Sequence, residues 1–140
     1  VNARQEWRTE LKKKIAAKDR TAMIRVRMPE MDPSVRIRYQ DREVNIGLSE
    51  TQTQSEAARC LDCVNPTCIE GCPVSINIPK FVKYIELGSF LEAAKTLKET
   101  SALPAVCGRV CPQEKQCEAS CFYTLKLKKE RVAIGHLELI

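Results

Sequence analysis

The 140-residue chain is poor in several residue types: it has one histidine, five glycines, one tryptophan, three tyrosines and three phenylalanines. Around its lone histidine, His136, no Ser–His or Cys–His pattern for nucleophilic catalysis is visible in the sequence. The glycines include no GxGxxG run, which excludes dinucleotide binding by the glycine-loop mechanism. The scarcity of aromatics limits the core that 44% hydrophobic residues can build, so metal ligation would be a natural supplement to folding. No apolar run approaches the ~20 residues needed to cross a bilayer, and no secretory signal is visible. A cytoplasmic location is therefore expected, where cysteines are normally reduced rather than paired in disulfides. No alternating strand pattern of useful length follows residue 48, no low-complexity segment interrupts the chain, and the expected fold class is all-α.

Charge points the same way once cysteine chemistry is considered. The formal net charge is +5 with every thiol counted as neutral. Were all eight cysteines thiolates on two clusters with +2 cores, the sum would fall to about +1. The basic character largely disappears, and nucleic acid is not an expected partner. Lys12-Lys13-Lys14 reads as the solvated face of a helix.

Residues 3–19 read as a basic amphipathic helix, with Trp7, Leu11 and Ile15 at successive i+4 positions. That stripe suits either this domain or a partner. Residues 1–27 form an N-terminal helix and linker, ahead of a domain spanning 28–140. Residues 20–48 read as extended and irregular, punctuated by Met28-Pro29, Asp32-Pro33 and Asn45-Ile46-Gly47. Ser49 with Gln52 signals a capping box opening a helix that leads to Cys60. Asn77 caps the next helix, Pro79 sits in its first turn and Gly88 ends it. Ser89 with Glu92 signals a second capping box, and residues 132–140 carry a helical apolar pattern.

What is abundant is cysteine. The first group is Cys60-x2-Cys63-x4-Cys68-x3-Cys72, followed by Pro73. The second is Cys107-x3-Cys111-Pro112-x4-Cys117-x3-Cys121. Short intervals let neighbouring thiolates converge from one turn, and a cubane cluster needs four ligands from several directions. A cysteine followed by proline matches the bacterial ferredoxin arrangement, in which that cysteine ligates the other cluster. By this analogy Cys72 crosses to the second cluster and one late cysteine crosses back. Zinc is the alternative, as a structural ion in a protein-interaction module. Structural zinc sites favour paired CxxC knuckles or Cys/His mixtures, whereas this chain has one CxxC and one histidine.

Several segments resemble a known family. They are Met28-Pro29-Glu30-Met31-Asp32-Pro33, Glu56-Ala57-Ala58-Arg59-Cys60-Leu61-Asp62-Cys63, Gly71-Cys72-Pro73-Val74, Cys107-Gly108-Arg109-Val110-Cys111-Pro112 and Ala133-Ile134-Gly135-His136-Leu137-Glu138. Together they resemble the N-terminal iron–sulfur domain of the glutamate synthase small (NADPH-oxidising) subunit. The same domain type occurs in dihydropyrimidine dehydrogenase and in the large subunit of NADH-dependent ferredoxin–NADP oxidoreductase. The resemblance covers roughly residues 28–140.

It implies an α-helical ferredoxin fold with two [4Fe-4S] clusters. Cys60, Cys63, Cys68 and Cys121 would hold the first; Cys72, Cys111 and Cys117 would hold the second, completed by Glu138. From its position alone Glu138 would be an ordinary exposed carboxylate; the resemblance makes it a ligand. Cys107 is then spare, a small buried hydrophobe. Gly71 and Gly108 are expected where backbone approaches closely or takes unusual φ. His136 and Arg109 have no assigned part, His136 suiting a surface or packing role. The resemblance also implies electron relay from NADPH-reduced FAD to a large synthase subunit. Flavin and NADPH would bind in a further domain or partner, so this chain alone would perform no turnover.

Overall fold

Capping chemistry sets most helix boundaries. A computed structural model of the protein describes residues 5–139 and contains nine α-helices among them. They are α1 (Glu6–Lys14), α2 (Ala17–Ala22), α3 (Pro33–Arg36), α4 (Glu50–Ala58), α5 (Thr67–Glu70), α6 (Ile78–Leu87), α7 (Phe90–Lys98), α8 (Pro104–Val110) and α9 (Ile134–Leu137). A 3-10 turn at Gln113–Lys115 and a π-type turn at Tyr123–Leu127 complete the regular structure. The described residues contain no strand, only one isolated bridge between Glu30 and Asn45. The fold is all-α.

The expected capping box at α4 is present, with Ser49 accepting from Gln52 N and Gln52 accepting from Ser49 N at 2.9 Å. A cap of this kind stabilises a helix by about 1 kcal/mol. Asn77 caps α6 through its side chain, Pro79 lies in the first turn, and Gly88 closes the helix at φ +83°.

The second expected capping box does not form. Ser89 is the N-cap of α7 but makes no side-chain cap bond. Its backbone N–H already donates to Tyr84 O at 2.8 Å, closing α6 around Gly88. With that donor used, Glu92 instead accepts from Lys95 at 2.6 Å. The tight α6–α7 junction therefore prevails over the local signal.

The N-terminal helix is also shorter than expected. Within the described residues it divides at Ile15 and Ala16, both extended, into α1 and α2; positions 3 and 4 lie outside them. The cause is Arg20, whose guanidinium donates to the Leu11 carbonyl at 2.5 Å and the Ile15 carbonyl at 3.0 Å. Those carbonyls end α1, and the chain must turn to present them. The Trp7-Leu11-Ile15 stripe is half-buried against this domain, with Trp7 stacked on Tyr84 at 4.7 Å between ring centroids. The stretch 20–48 is less irregular than expected, because α2 runs into it and Asp32 caps the single turn α3. At the other end the helical pattern yields one turn, α9, and Ile140 lies outside the described residues.

Helix α6 is central, packing against both α4 and α7, while α9 rests on α4, α6 and α8. The core joins Ala57, Phe81, Val82, Ile85, Leu97, Tyr123, Ile134 and Leu137, with Cys117 and Cys121 among the buried members. Cys60, Cys68 and Cys72 pack on its edge.

Candidate metal centre

The eight cysteines are free thiols, and the fold sorts them into two neighbourhoods. Cys60 and Cys63 flank the turn after α4, Cys68 sits on α5, and Cys121 precedes the π-type turn. These four line one small cavity of about 30 Å3, together with Ile78, Val82 and Ile134. Burial pushes the Cys63 thiol up to about 11, and the neighbouring Cys60 and Cys121 add to the effect. Burial raises Cys68 further, beyond the usual thiol range, reinforced by Cys60, Cys121 and Cys63. The cause is mutual: each thiolate would face others at short range in a poorly solvated site.

The second neighbourhood gathers Cys72, Cys107, Cys111, Cys117 and Glu138. Burial pushes Cys117 up to about 12, with Glu118, Cys72 and Glu138 contributing. Cys111 is raised by burial, then by Cys107, Glu138 and Cys72. Glu138 itself is 7% exposed, not the surface carboxylate its position suggested. Its Oε1 is buried without a hydrogen-bond partner, and burial alone pushes its carboxyl up to about 7. An uncompensated buried carboxylate is costly, and a cation at this point would relieve it.

Burial raises Cys63, Cys68, Cys111, Cys117 and Cys121, and a cationic core would convert such thiols to ligands by displacing their protons. The four donors Cys60, Cys63, Cys68 and Cys121 suit one such core, and Cys72, Cys111, Cys117 and Glu138 suit another. Zinc would draw its ligands to within ~2.3 Å of one atom. Among the described residues no group of three or more His, Cys, Asp or Glu side chains is gathered for a single metal ion.

Cys107 lies nearer the site than a spare thiol needs to. It is half-buried, 3.7 Å from Ser101 Oγ and one helical turn before Cys111. Arg109 points elsewhere: it is exposed, paired with Glu43, and donates to Ala105 O at 2.8 Å. His136 is half-buried on α9 with its Nδ1 buried and unpartnered. Gly71 and Gly108 both have ordinary negative φ. A Cβ at Gly71 would meet Ser120 Cβ at 2.8 Å and Gln116 O at 2.9 Å, so the close approach expected there is made to protein.

The loops carrying the donors are held by residues that motif reading passed over. Asp62, between the first two cysteines, is fully buried at φ +49° and pairs with Arg8 of α1. Lys83 is fully buried and donates to Cys60 O at 2.6 Å while pairing with Glu86. Thr67 Oγ1 donates to Ser120 O at 2.6 Å, tying the first cysteine group to the second. Glu118 accepts from Arg131 at 3.0 Å and from Gly135 N at 3.2 Å, which fixes the approach to α9. Lys83 gave one signal, a lysine inside the apolar run Phe81-Val82-Lys83-Tyr84-Ile85.

Residues 37–140 match the sequence family described as dihydropyrimidine dehydrogenase domain II, 4Fe-4S cluster. The chain belongs to this iron–sulfur family. Over 96 residues it is 45% identical to the glutamate synthase [NADPH] small chain of Escherichia coli (strain K12), covering 69% of this chain and 20% of that protein. It is 37% identical over 95 residues to the glutamate synthase [NADPH] small chain of Azospirillum brasilense, covering 68% of this chain and 20% of that one. The Escherichia coli (strain K12) NAD-dependent dihydropyrimidine dehydrogenase subunit PreT is 46% identical over 66 residues, 47% of this chain and 16% of PreT. The chain spans a fifth or less of the length of these relatives. An iron–sulfur domain of the type found in oxidoreductases accounts for the cysteine neighbourhoods, and no helix among the described residues is long and apolar enough to cross a membrane.

Proposed function

We propose that this chain is the electron-transfer module of an NAD(P)H-dependent flavin oxidoreductase of the glutamate synthase small-subunit type. Two [4Fe-4S] clusters are bound, the first by Cys60, Cys63, Cys68 and Cys121, the second by Cys72, Cys111, Cys117 and Glu138. The observation that carries this reading is the buried, unpartnered Glu138 carboxylate beside Cys111 and Cys117. Cys107 already has Ser101 as a neighbour, whereas Glu138 Oε1 is buried with no hydrogen-bond partner, a place a metal cation would fit. The clusters supply one-electron transfer. The protein's own contribution is to exclude water from the thiolates with core residues and to fix the loops through Lys83, Thr67 and Asp62.

FAD and NADPH belong to a separate domain or subunit, consistent with relatives at least five times longer than the matched region. The electron acceptor is a large synthase subunit. Helix α8 supports a docked partner beside the second site, since Leu103, Val106 and Val110 are 64%, 47% and 70% exposed.

Anaerobic purification tests the proposal. The protein should be brown, absorb broadly near ~400 nm, and contain about eight iron and about eight sulfide per chain. A colourless protein with stoichiometric zinc would reject it in favour of a zinc-stabilised interaction module.

A further inference from the structure

Helix α6 turns two charges into the protein: Lys83 and Glu86 stand one turn apart on it and pair with each other. The Lys83 ammonium also donates to the Cys60 carbonyl at 2.6 Å. The other Glu86 oxygen meets the Arg20 guanidinium at 2.9 Å. Arg20 directs its remaining donors to the carbonyls of Leu11, Ile15 and Ala58. Two cations thus share one carboxylate, and the other contacts of both are backbone carbonyls.

The triad carries one surplus positive charge. The side chains of Arg20, Glu86 and Lys83 are 2%, 6% and 0% exposed, so water screens that charge little. Burying such a surplus is costly unless an anion lies within reach. The surplus comes from the N-terminal segment: Lys83 and Glu86 alone would be neutral, and Arg20 precedes the family match, which begins at residue 37. The triad reaches the first site at Cys60, whose carbonyl Lys83 holds and which lines the first cavity. A cubane on four thiolates is anionic, and accepting one electron makes it one unit more negative. A nearby cation therefore stabilises the reduced form more than the oxidised one.

We propose that the buried Arg20–Glu86–Lys83 triad is the counter-charge of the first cluster and holds that cluster's reduction potential up. Lys83 is a positioning residue: it fixes the Cys60 backbone and brings the surplus charge to it, and it ligates nothing. This rests on the ligand set assigned above to Cys60, Cys63, Cys68 and Cys121. The charge that tips the balance, on Arg20, is supplied from outside the shared family region.

The test is a redox titration of the full chain loaded with iron and sulfide, with dithionite giving one electron to each cluster and low-temperature EPR as readout. Cys63→Ser identifies the first cluster's signal by altering it. Lys83→Met removes the ammonium and should lower the reduced-to-oxidised ratio of that cluster about tenfold at a fixed solution potential, which is 59 mV for one electron. Lys83→Arg should keep the original value. Glu86→Gln raises the surplus to two and should shift the ratio the opposite way, a sign that mere loosening of the loop would not produce. The second cluster should stay unchanged in all three variants, as should both clusters in the exposed control Lys95→Gln. Four results would overturn the counter-charge while leaving the ligand set standing: shifts of the same sign from Lys83→Met and Glu86→Gln, equal shifts in both clusters, no shift with iron and sulfide at full content, or loss of the first cluster from both variants. Where Lys83→Met alone leaves the first site empty, the sign of the Glu86→Gln shift decides. A chain that binds only one cluster, with Cys63→Ser having no effect on its signal, would reject the ligand set and the triad's role together.

Discussion

The Glu56 carboxylate accepts the backbone N–H of Ala133 at 2.8 Å, joining α4 to the approach of α9 across 77 residues of chain. Glu56 is fully buried, and its other oxygen accepts from Val26 N at 2.7 Å. Arg59 donates to it at 2.6 Å, and also to the carbonyls of Met23 at 3.2 Å and Arg131 at 3.0 Å. Tyr123 adds to the same knot, donating to Arg20 O at 3.0 Å and Arg59 O at 2.8 Å. One buried ion pair thus gathers the N-terminal segment, α4 and the strap before α9.

Breaking that pair should be severe. Glu56→Ala leaves the Arg59 guanidinium buried without its counter-ion and two backbone N–H groups, those of Val26 and Ala133, short of a partner. The expected loss is about 3–5 kcal/mol of stability, read as a fall in urea midpoint on the iron-free chain. A loss below about 1 kcal/mol would show that solvent reaches Arg59 readily.

The iron-free protein should show a pH signature at Glu138. Its folded carboxyl is pushed up to about 7 by burial, against an ordinary 4.5. The folded state therefore holds this proton more tightly than the unfolded chain does. Its contribution is complete below about pH 4.5 and is lost as pH rises through about 7, by about 3 kcal/mol at most. His136 works in the opposite sense: burial and Arg25 lower its value, so its contribution is present above about pH 6.5 and lost in acid. Comparing melting temperatures of the unaltered chain and Glu138→Gln from pH 5 to pH 8 isolates the carboxyl. The unaltered chain's advantage should shrink across that range, and a constant difference would contradict it.

Much of this was legible in the sequence because its carriers are local. Ser49 with Gln52, Asn77 and Gly88 each act within a turn, and cysteine spacing survives any tertiary arrangement. The Ser89 signal failed because Gly88 commits Ser89's N–H to the preceding helix, a competition between two adjacent motifs. The break at Ile15 was hidden because its cause, Arg20, acts through tertiary contacts to Ala58 and Glu86. The partners of Glu56, Asp62 and Lys83 were hidden for the same reason: a charged residue is read as exposed until its distant counter-ion is known. Glu138 was recoverable from resemblance alone, since position near a chain end suggests solvent.

Gly71 should be intolerant of any side chain. A Cβ there would lie 2.8 Å from Ser120 Cβ and 2.9 Å from the Gln116 carbonyl, neither of which is a flexible tip. The Thr67–Ser120 hydrogen bond pins the same junction. Gly71→Ala should cost about 1–3 kcal/mol through overpacking and should displace Cys72. Gly47→Ala is the contrast: its Cβ would meet nothing within 4 Å, and only φ +90° opposes it. Thermal melts of the two variants separate steric crowding from backbone strain, and equal, small losses would remove the case for tight packing at Gly71.

The second site presents five donors, Cys72, Cys107, Cys111, Cys117 and Glu138, where a cubane takes four. Two substitutions decide which is left out. If Glu138 ligates, Glu138→Ala should perturb the EPR spectrum of one cluster, leave the other intact, and lower iron content toward four per chain on exposure to air. Cys107→Ser should then retain both clusters, because Ser101 and a serine hydroxyl can still satisfy one another. The reverse pattern, with a cluster lost from Cys107→Ser and retained in Glu138→Ala, would exchange the two roles. It would also leave the buried carboxylate needing a different explanation. A Glu138→Cys variant sharpens the choice: a thiolate at a ligating position should preserve the cluster and make its potential more like that of the first site, whereas at a non-ligating position it should change neither.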